Sequence, residues 1–227
     1  MLPPGQIPRA DFPRFGLTQY AERFPPRPSD RALSIKVLSE EPITLPDALV
    51  GLPRTALQAD FHCVTTWSHL GLTWGGVSFG DFFRHRVVPL QSRSAPIVGV
   101  ILRAQDGYRT TLLLEDLLAG DVLLADELNG QPLSIEHGAP LRLVAPRHYG
   151  SKNLKHLTQL EFCASMPVIK HGPLAFLDHP RARVALEERG RWFPGWLLRR
   201  LYRPFIPSTV DRFRVAMLKS AGRGRPL

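Results

Sequence analysis

Cysteine is scarce in this chain: Cys63 and Cys163 are the two thiols in 227 residues. Two thiols make no disulfide framework. Neither has a second Cys or His at metal-ligand spacing, which excludes zinc-finger and cluster-binding classes. His148, His156, His171 and His179 form no ligand grouping either. No apolar run approaches the length that spans a bilayer. The N-terminus, Met1-Leu2-Pro3-Pro4-Gly5-Gln6, lacks the hydrophobic core of a leader peptide and has no twin arginine, so a cytoplasmic location is expected. A glycine-rich phosphate loop, a nucleophile elbow, internal repeats and low-complexity tracts are also missing. Acidic residues run short in one region. Residues 181–227 hold 12 Lys/Arg against 3 Asp/Glu, whereas residues 1–180 hold 17 of each. The net charge of +9 therefore belongs to the tail. A neutral main body is not a nucleic-acid-binding surface, and no nucleic-acid partner is expected.

What is present reads as many short strands with scattered small helices, an α+β domain. Proline crowds residues 1–30, which predicts an irregular arm. Apolar alternation predicts strands over 33–38, 55–62, 98–102, 110–114, 122–126, 141–144 and 157–162. Asp106-Gly107-Tyr108 and Asn129-Gly130 mark turns between them. Short helical pieces are expected after Pro46, over 80–85 and over 115–118. Beyond Pro180 the texture changes. A helix is expected over 182–189 with an Arg183–Glu187 pair, another between Pro194 and Pro204, and a third over 208–220 capped by Ser208 or Thr209. These shifts divide the chain into an arm (1–30), a body (31–178) and a basic helical extension (179–227). The stretch 191–215 mixes aromatics with arginines. It suits docking on an anionic membrane or a partner, or packing on the body with its arginines toward water.

The most informative segment is Asp60-Phe61-His62-Cys63-Val64-Thr65-Thr66-Trp67-Ser68, followed by Trp74-Gly75-Gly76-Val77. The alternation of Leu57, Ala59 and Phe61 with Gln58, Asp60 and His62 puts Cys63 where a strand opens into a loop. A thiolate there can face a pocket and bind a soft metal, and equally a lone cysteine is often a small buried hydrophobe.

Cys63-Val64-Thr65-Thr66-Trp67-Ser68 resembles the metal-binding segment of the sulfite-oxidase-type molybdopterin oxidoreductases, in the branch of the methionine-sulfoxide reductase catalytic subunit. Two later runs resemble further signatures of that family. One is His137-Gly138-Ala139-Pro140-Leu141-Arg142, and the other is Tyr149-Gly150-Ser151-Lys152-Asn153-Leu154-Lys155. The resemblance covers residues 15 to 165 and implies the family's fold: mixed short-stranded sheets with small helices, here followed by a helical tail. It implies a molybdopterin-binding catalytic body over 31–178, a molybdenum–molybdopterin cofactor and oxygen-atom transfer. It also implies Cys63 as metal ligand and catalytic residue.

The same resemblance makes Arg142 and Lys155 the clamp on the cofactor phosphate and His137 an anchor beside it. Asn153 and Leu154 would offer backbone contacts. His62 and Trp67, flanking the ligand, would shape or tune the pocket. Relatives reach the cofactor from the N-terminal region, commonly with an Asn. The matching stretch, Tyr20 to Pro25, has none, and Arg23 is the candidate there. Ala104 stands where many relatives carry a hydroxyl. Sulfite oxidases place arginines directly after the metal cysteine. Here Val64 to Ser68 carry no charge, which disfavours a dianion and favours a sulfoxide, an N-oxide or a related small substrate. With no haem segment in the chain, electrons would pass through a separate electron-transfer protein. The alternative is a non-catalytic cofactor-binding or interaction module that uses the basic tail.

Overall fold

The computed structural model describes residues 2–27, 29–38, 40–91, 95–169 and 178–222. His171, Arg223 and Arg225 lie outside the described residues.

Two sheets carry the fold. The strands in chain order are β1 (Ile7–Pro8), β2 (Leu33–Val37), β3 (Ile43–Leu45), β4 (Arg54–His62), β5 (Trp67–Ser78) and β6 (Gly99–Ala104). They continue with β7 (Arg109–Leu113), β8 (Leu123–Leu128), β9 (Gln131–Pro132), β10 (Arg142–Val144) and β11 (Leu157–Cys163). One sheet has the order β1-β5-β8-β10, with β4 along β5 and β9 along β8. The other has the order β3-β2-β11-β6-β7, in which only β2 and β11 run parallel. Alternation along β2 sends Leu33, Ile35 and Val37 inward, where they meet Val100 and Leu102 of β6 and Phe162 of β11. Leu124 of β8 and Leu143 of β10 belong to the same buried cluster, so the main core joins residues of both sheets.

The expected strands are present, as are the helical turns α1 (Phe79–Phe82) and α2 (Leu114–Leu117). The loop that Cys63 opens into is short, because Trp67-Ser68 already begins β5, the longest strand among the described residues. Gly76 in it serves close approach. A Cβ on Gly76 would lie 2.1 Å from the Leu124 carbonyl oxygen, beside the register shift between β5 and β8. Gly76→Ala is therefore expected to cost about 3 kcal/mol. The check is a lower denaturant midpoint at unchanged slope.

Three local expectations fail. Residues 46–52 form bends and turns, with no helix after Pro46. Residues 182–189 are a turn, because Ala182 and Glu187 both take positive φ, at 52° and 53°. Arg183 pairs with Glu188 through its backbone N–H and its guanidinium, and Glu187 goes instead to Arg189 and Arg199. The last helix, α4 (Ile206–Gly222), begins two residues early, and Ser208 Oγ donates back to the Phe205 carbonyl. The helix between the prolines, α3 (Gly195–Tyr202), stands where expected.

Both ends of the chain return to the body. The arm adds β1 in parallel to the start of β5. On α4, Thr209, Phe213, Ala216 and Ser220 are buried, a spacing of three and four residues that marks one helix face. That face covers Ala21 and Phe24 of the arm.

Candidate active site

Cys63 sits in the tight connection between β4 and β5. Its N–H donates to the Trp67 carbonyl (2.8 Å), and the Thr66 N–H donates to the Cys63 carbonyl (3.1 Å). Thr66 pays for this turn with φ of 88°. The loop is fastened from both chain ends. Gln6 of the arm donates from Nε2 to the Cys63 carbonyl (3.1 Å), and Arg189 donates from Nη1 to the Val64 carbonyl (2.6 Å). Arg203 donates to Thr66 Oγ1 (3.4 Å). The Cys63 thiol is buried with Sγ 3.1 Å from Thr65 Oγ1, and burial pushes its pKa up against the pull of Thr65, Arg189 and Lys155.

Cys63 opens on a cavity of about 180 Å³. Much of the wall is apolar, from Phe15, Leu17, Phe61, Val64, Trp67 and Phe213. Charge enters through Arg14, Asp106 and Lys155. Asn153 and Leu154 line the same space, so the cavity joins the cysteine motif to the second signature some ninety residues later. The Lys155 ammonium donates to the Glu136 carbonyl (2.8 Å). Burial, with help from Arg142 and Arg14, pushes its pKa down to about 7. Asn153 holds its loop together: Oδ1 accepts from the Ala145 N–H, and Nδ2 reaches the carbonyls of Ala145, His148 and Tyr149. Gly138 takes φ of +110° at the bend that brings the side-chain stems of Arg142 and Lys155 together.

Other expected site residues stand elsewhere. Arg142 is fully buried, does not line the cavity, and lies over the Trp74 ring at 4.6 Å. Its guanidinium donates to the His137 carbonyl (2.7 Å) and the Asn153 carbonyl (3.3 Å). It braces the site from behind. His62 is also off the cavity wall. Ser68 gives its one hydroxyl proton to Gln6 Oε1, so His62 Nδ1 must be the donor to Ser68 Oγ at 2.7 Å. His62 thus ends a chain of bonds that reaches the Cys63 carbonyl through Gln6. The His137 ring stacks on Phe12 with centroids 4.7 Å apart, outside the cavity lining. Burial pushes its pKa down to about 3. Arg23 is exposed, over the Tyr20 ring, whereas the buried Arg14 of the same arm faces the cavity. Ala104 ends β6 away from the wall; Asp106 and Tyr108 just after it do line the cavity.

Reasoning on sequence alone missed Arg14, Arg189 and Phe213. Arg14 fixes the arm by donating to the carbonyls of Tyr20, Ala21 and Arg23, between the rings of Phe24 and Phe213. Phe213 brings α4 into the cavity wall.

Residues 22–167 match the model of the oxidoreductase molybdopterin binding domain. The chain belongs to that family. Its members include oxidoreductase enzymes such as sulfite oxidase and the methionine-sulfoxide reductase catalytic subunit. The uncharacterized oxidoreductase YuiH of Bacillus subtilis is 38% identical over 131 residues, covering 57% of this chain and 64% of that protein. The protein-methionine-sulfoxide reductase catalytic subunit MsrP of Xanthomonas campestris is 32% identical over 135 residues, covering 55% of this chain and 42% of that protein. The chain thus spans less than two thirds of the length of either relative. Among solved structures, the sulfane dehydrogenase SoxCD of Paracoccus pantotrophus matches with a TM-score of 0.54 at 21% identity. That match covers 67% of this chain and 43% of that one, and it supports the fold.

The cavity suits the family's molybdopterin group. A soft sulfur, Cys63 Sγ, and two cations, Lys155 and Arg14, line the one cavity. Trp67 Nε1 is a buried N–H without a partner among the described residues, a donor that a bound group would satisfy. Among the described residues no cluster of three His, Cys, Asp or Glu could hold a metal unaided.

Proposed function

We propose that this chain catalyses oxygen-atom transfer at a molybdenum ligated by Cys63, on a sulfoxide, an N-oxide or a related small neutral substrate. The observation that carries this reading is the convergence of the Cys63 thiol and Lys155 on one cavity, from motifs far apart in sequence. Bound there, the molybdenum–pterin group supplies the two-electron oxygen-transfer chemistry. The chain's own residues hold and shape it. Lys155 and Arg14 offer cations to a phosphate. Trp67 Nε1 and the Thr65 hydroxyl offer donors near the thiol. Phe15, Phe61, Val64 and Phe213 exclude water, and their lack of charge beside Cys63 supports a neutral substrate over a dianion. Asp106 is the one carboxylate on the wall, and burial holds its pKa above the usual range. Electrons pass to or from a separate electron-transfer protein.

The test is elemental and pterin analysis of protein from a molybdenum-replete host, followed by a sulfoxide and N-oxide turnover screen. One molybdenum per chain is expected. Protein with neither metal nor pterin would leave a non-catalytic module as the better reading.

A further inference from the structure

The outward side of the segment around α3 is apolar and basic at once. Trp192, Trp196 and Phe205 are 73%, 51% and 65% exposed, and Phe193 and Leu201 are exposed beside them. Water-facing aromatics are normal singly, but a concentrated group of this kind marks an interaction surface. From Arg189 to Val210 the chain has no Asp or Glu and carries Arg189, Arg191, Arg199, Arg200 and Arg203. The next carboxylate, Asp211, is paired with Arg214 at 3.0 Å.

The inward side is already committed. Leu198 is buried, Arg189 and Arg203 grip the cysteine loop, and Arg199 reaches Glu187. The helix is therefore held with one orientation, and its outward residues are left to water. There the Arg200 guanidinium lies over the Trp196 ring at 5.9 Å, one turn away. The two present an aromatic edge and a cation together.

We infer that the outward face of residues 191–205 binds the surface of anionic phospholipid bilayers. The exposed charge, from Arg191 and Arg200, is of the right sign. Tryptophan and arginine are the side chains that settle at headgroup depth, the ring among the acyl-chain ends and the guanidinium on phosphate. No described helix is long and apolar enough to cross a membrane, so the segment lies on the surface rather than through it. Arg203, on the same segment, adjoins the Cys63 loop by donating to Thr66 Oγ1. Docking there would hold the cavity close to the bilayer.

The inference is independent of the oxygen-transfer reading, because vesicle binding is read without cofactor or turnover. The experiment is co-sedimentation of the full chain with phosphatidylcholine vesicles, with and without phosphatidylglycerol, alongside tryptophan emission. Binding to the anionic vesicles only, weakened by salt and accompanied by a blue shift, is expected. Arg191→Gln/Arg200→Gln should lower binding roughly 25-fold, about fivefold for each arginine near an anionic leaflet. Trp196→Ala/Phe205→Ala should abolish the blue shift and most of the binding while the melting temperature stays at the wild-type value. No binding, equal binding to neutral vesicles, or full binding by both variants would overturn it. So would capture by an acidic protein without any lipid partition.

Discussion

Replacing Cys63 by serine should abolish turnover in a protein that still folds and still retains its pterin. A thiolate is a soft donor, and a serine hydroxyl is a hard one with a far higher pKa. Losing an outer partner of a metal ligand typically costs 10–100-fold. Loss of the ligand itself should exceed roughly a hundredfold. The fold should tolerate the change. The turn around Cys63 is fastened by backbone groups of residues 63–67 and by Gln6, Arg189 and Arg203, none of which needs the sulfur. The side chain's own polar contact is Thr65 Oγ1 at 3.1 Å, which a serine hydroxyl can also reach. Pterin should stay because Lys155 and Arg14 are untouched. Cys163→Ser is the control. Cys163 ends β11 in the other sheet, does not line the cavity, and should leave activity unchanged. The measurements are turnover with a reduced dye, pterin fluorescence of the released cofactor and the metal's electronic spectrum. Full activity in Cys63→Ser, or loss of activity in Cys163→Ser alone, would remove Cys63 from the centre of the site.

The parts of the site that could be read from sequence are those where the needed information is short-range. Cys63 follows an alternating strand, and its loop is closed by neighbours within four residues. Lys155 and Asn153 lie in one compact run, and the Asn153 side chain bonds carbonyls only a few positions away. Arg14, Arg189 and Phe213 escape such reading. Their roles depend on where an arm, a turn and a tail helix come to rest on the body, and the bonds of Arg189 run across more than a hundred residues. A motif names a residue but not the direction of its side chain. That is why Arg142 reads as a clamp on an anion and stands as a brace under Trp74. The turn at 182–189 looks helical by composition. The positive φ of Ala182 and Glu187 and the fork between Arg183 and Glu188 overrule that preference. In β5, Gly76 lets the Leu124–Ala125 backbone approach where any side chain would collide.

Arg142 and Lys155 should separate cleanly on substitution, although both read as cofactor cations. Arg142→Met should cost about 3 kcal/mol or more, because it strands the carbonyls of His137 and Asn153 in the core. Lys155→Met should cost the cofactor-free protein little or nothing and greatly reduce cofactor retention. The pH dependence gives a second signature. The Lys155 pKa of about 7 lies below its ordinary 10.5, so between those values the folded chain binds fewer protons than the unfolded one. Stability of the cofactor-free protein should therefore rise with pH through that window, and the cost of a charged buried ammonium should be present in full below it. Lys155→Met should flatten this slope, whereas Arg142→Met should lower the whole curve and only weaken the slope, because the Arg142 charge helps hold the Lys155 pKa down. A phosphate beside Nζ would keep the lysine charged, so the loaded protein should show the slope weakened too. Urea unfolding across the window, with and without cofactor, reads all four curves. If Arg142→Met keeps wild-type stability and loses cofactor instead, the guanidinium turns to the phosphate in the loaded protein, and its bracing role belongs to the empty cavity alone.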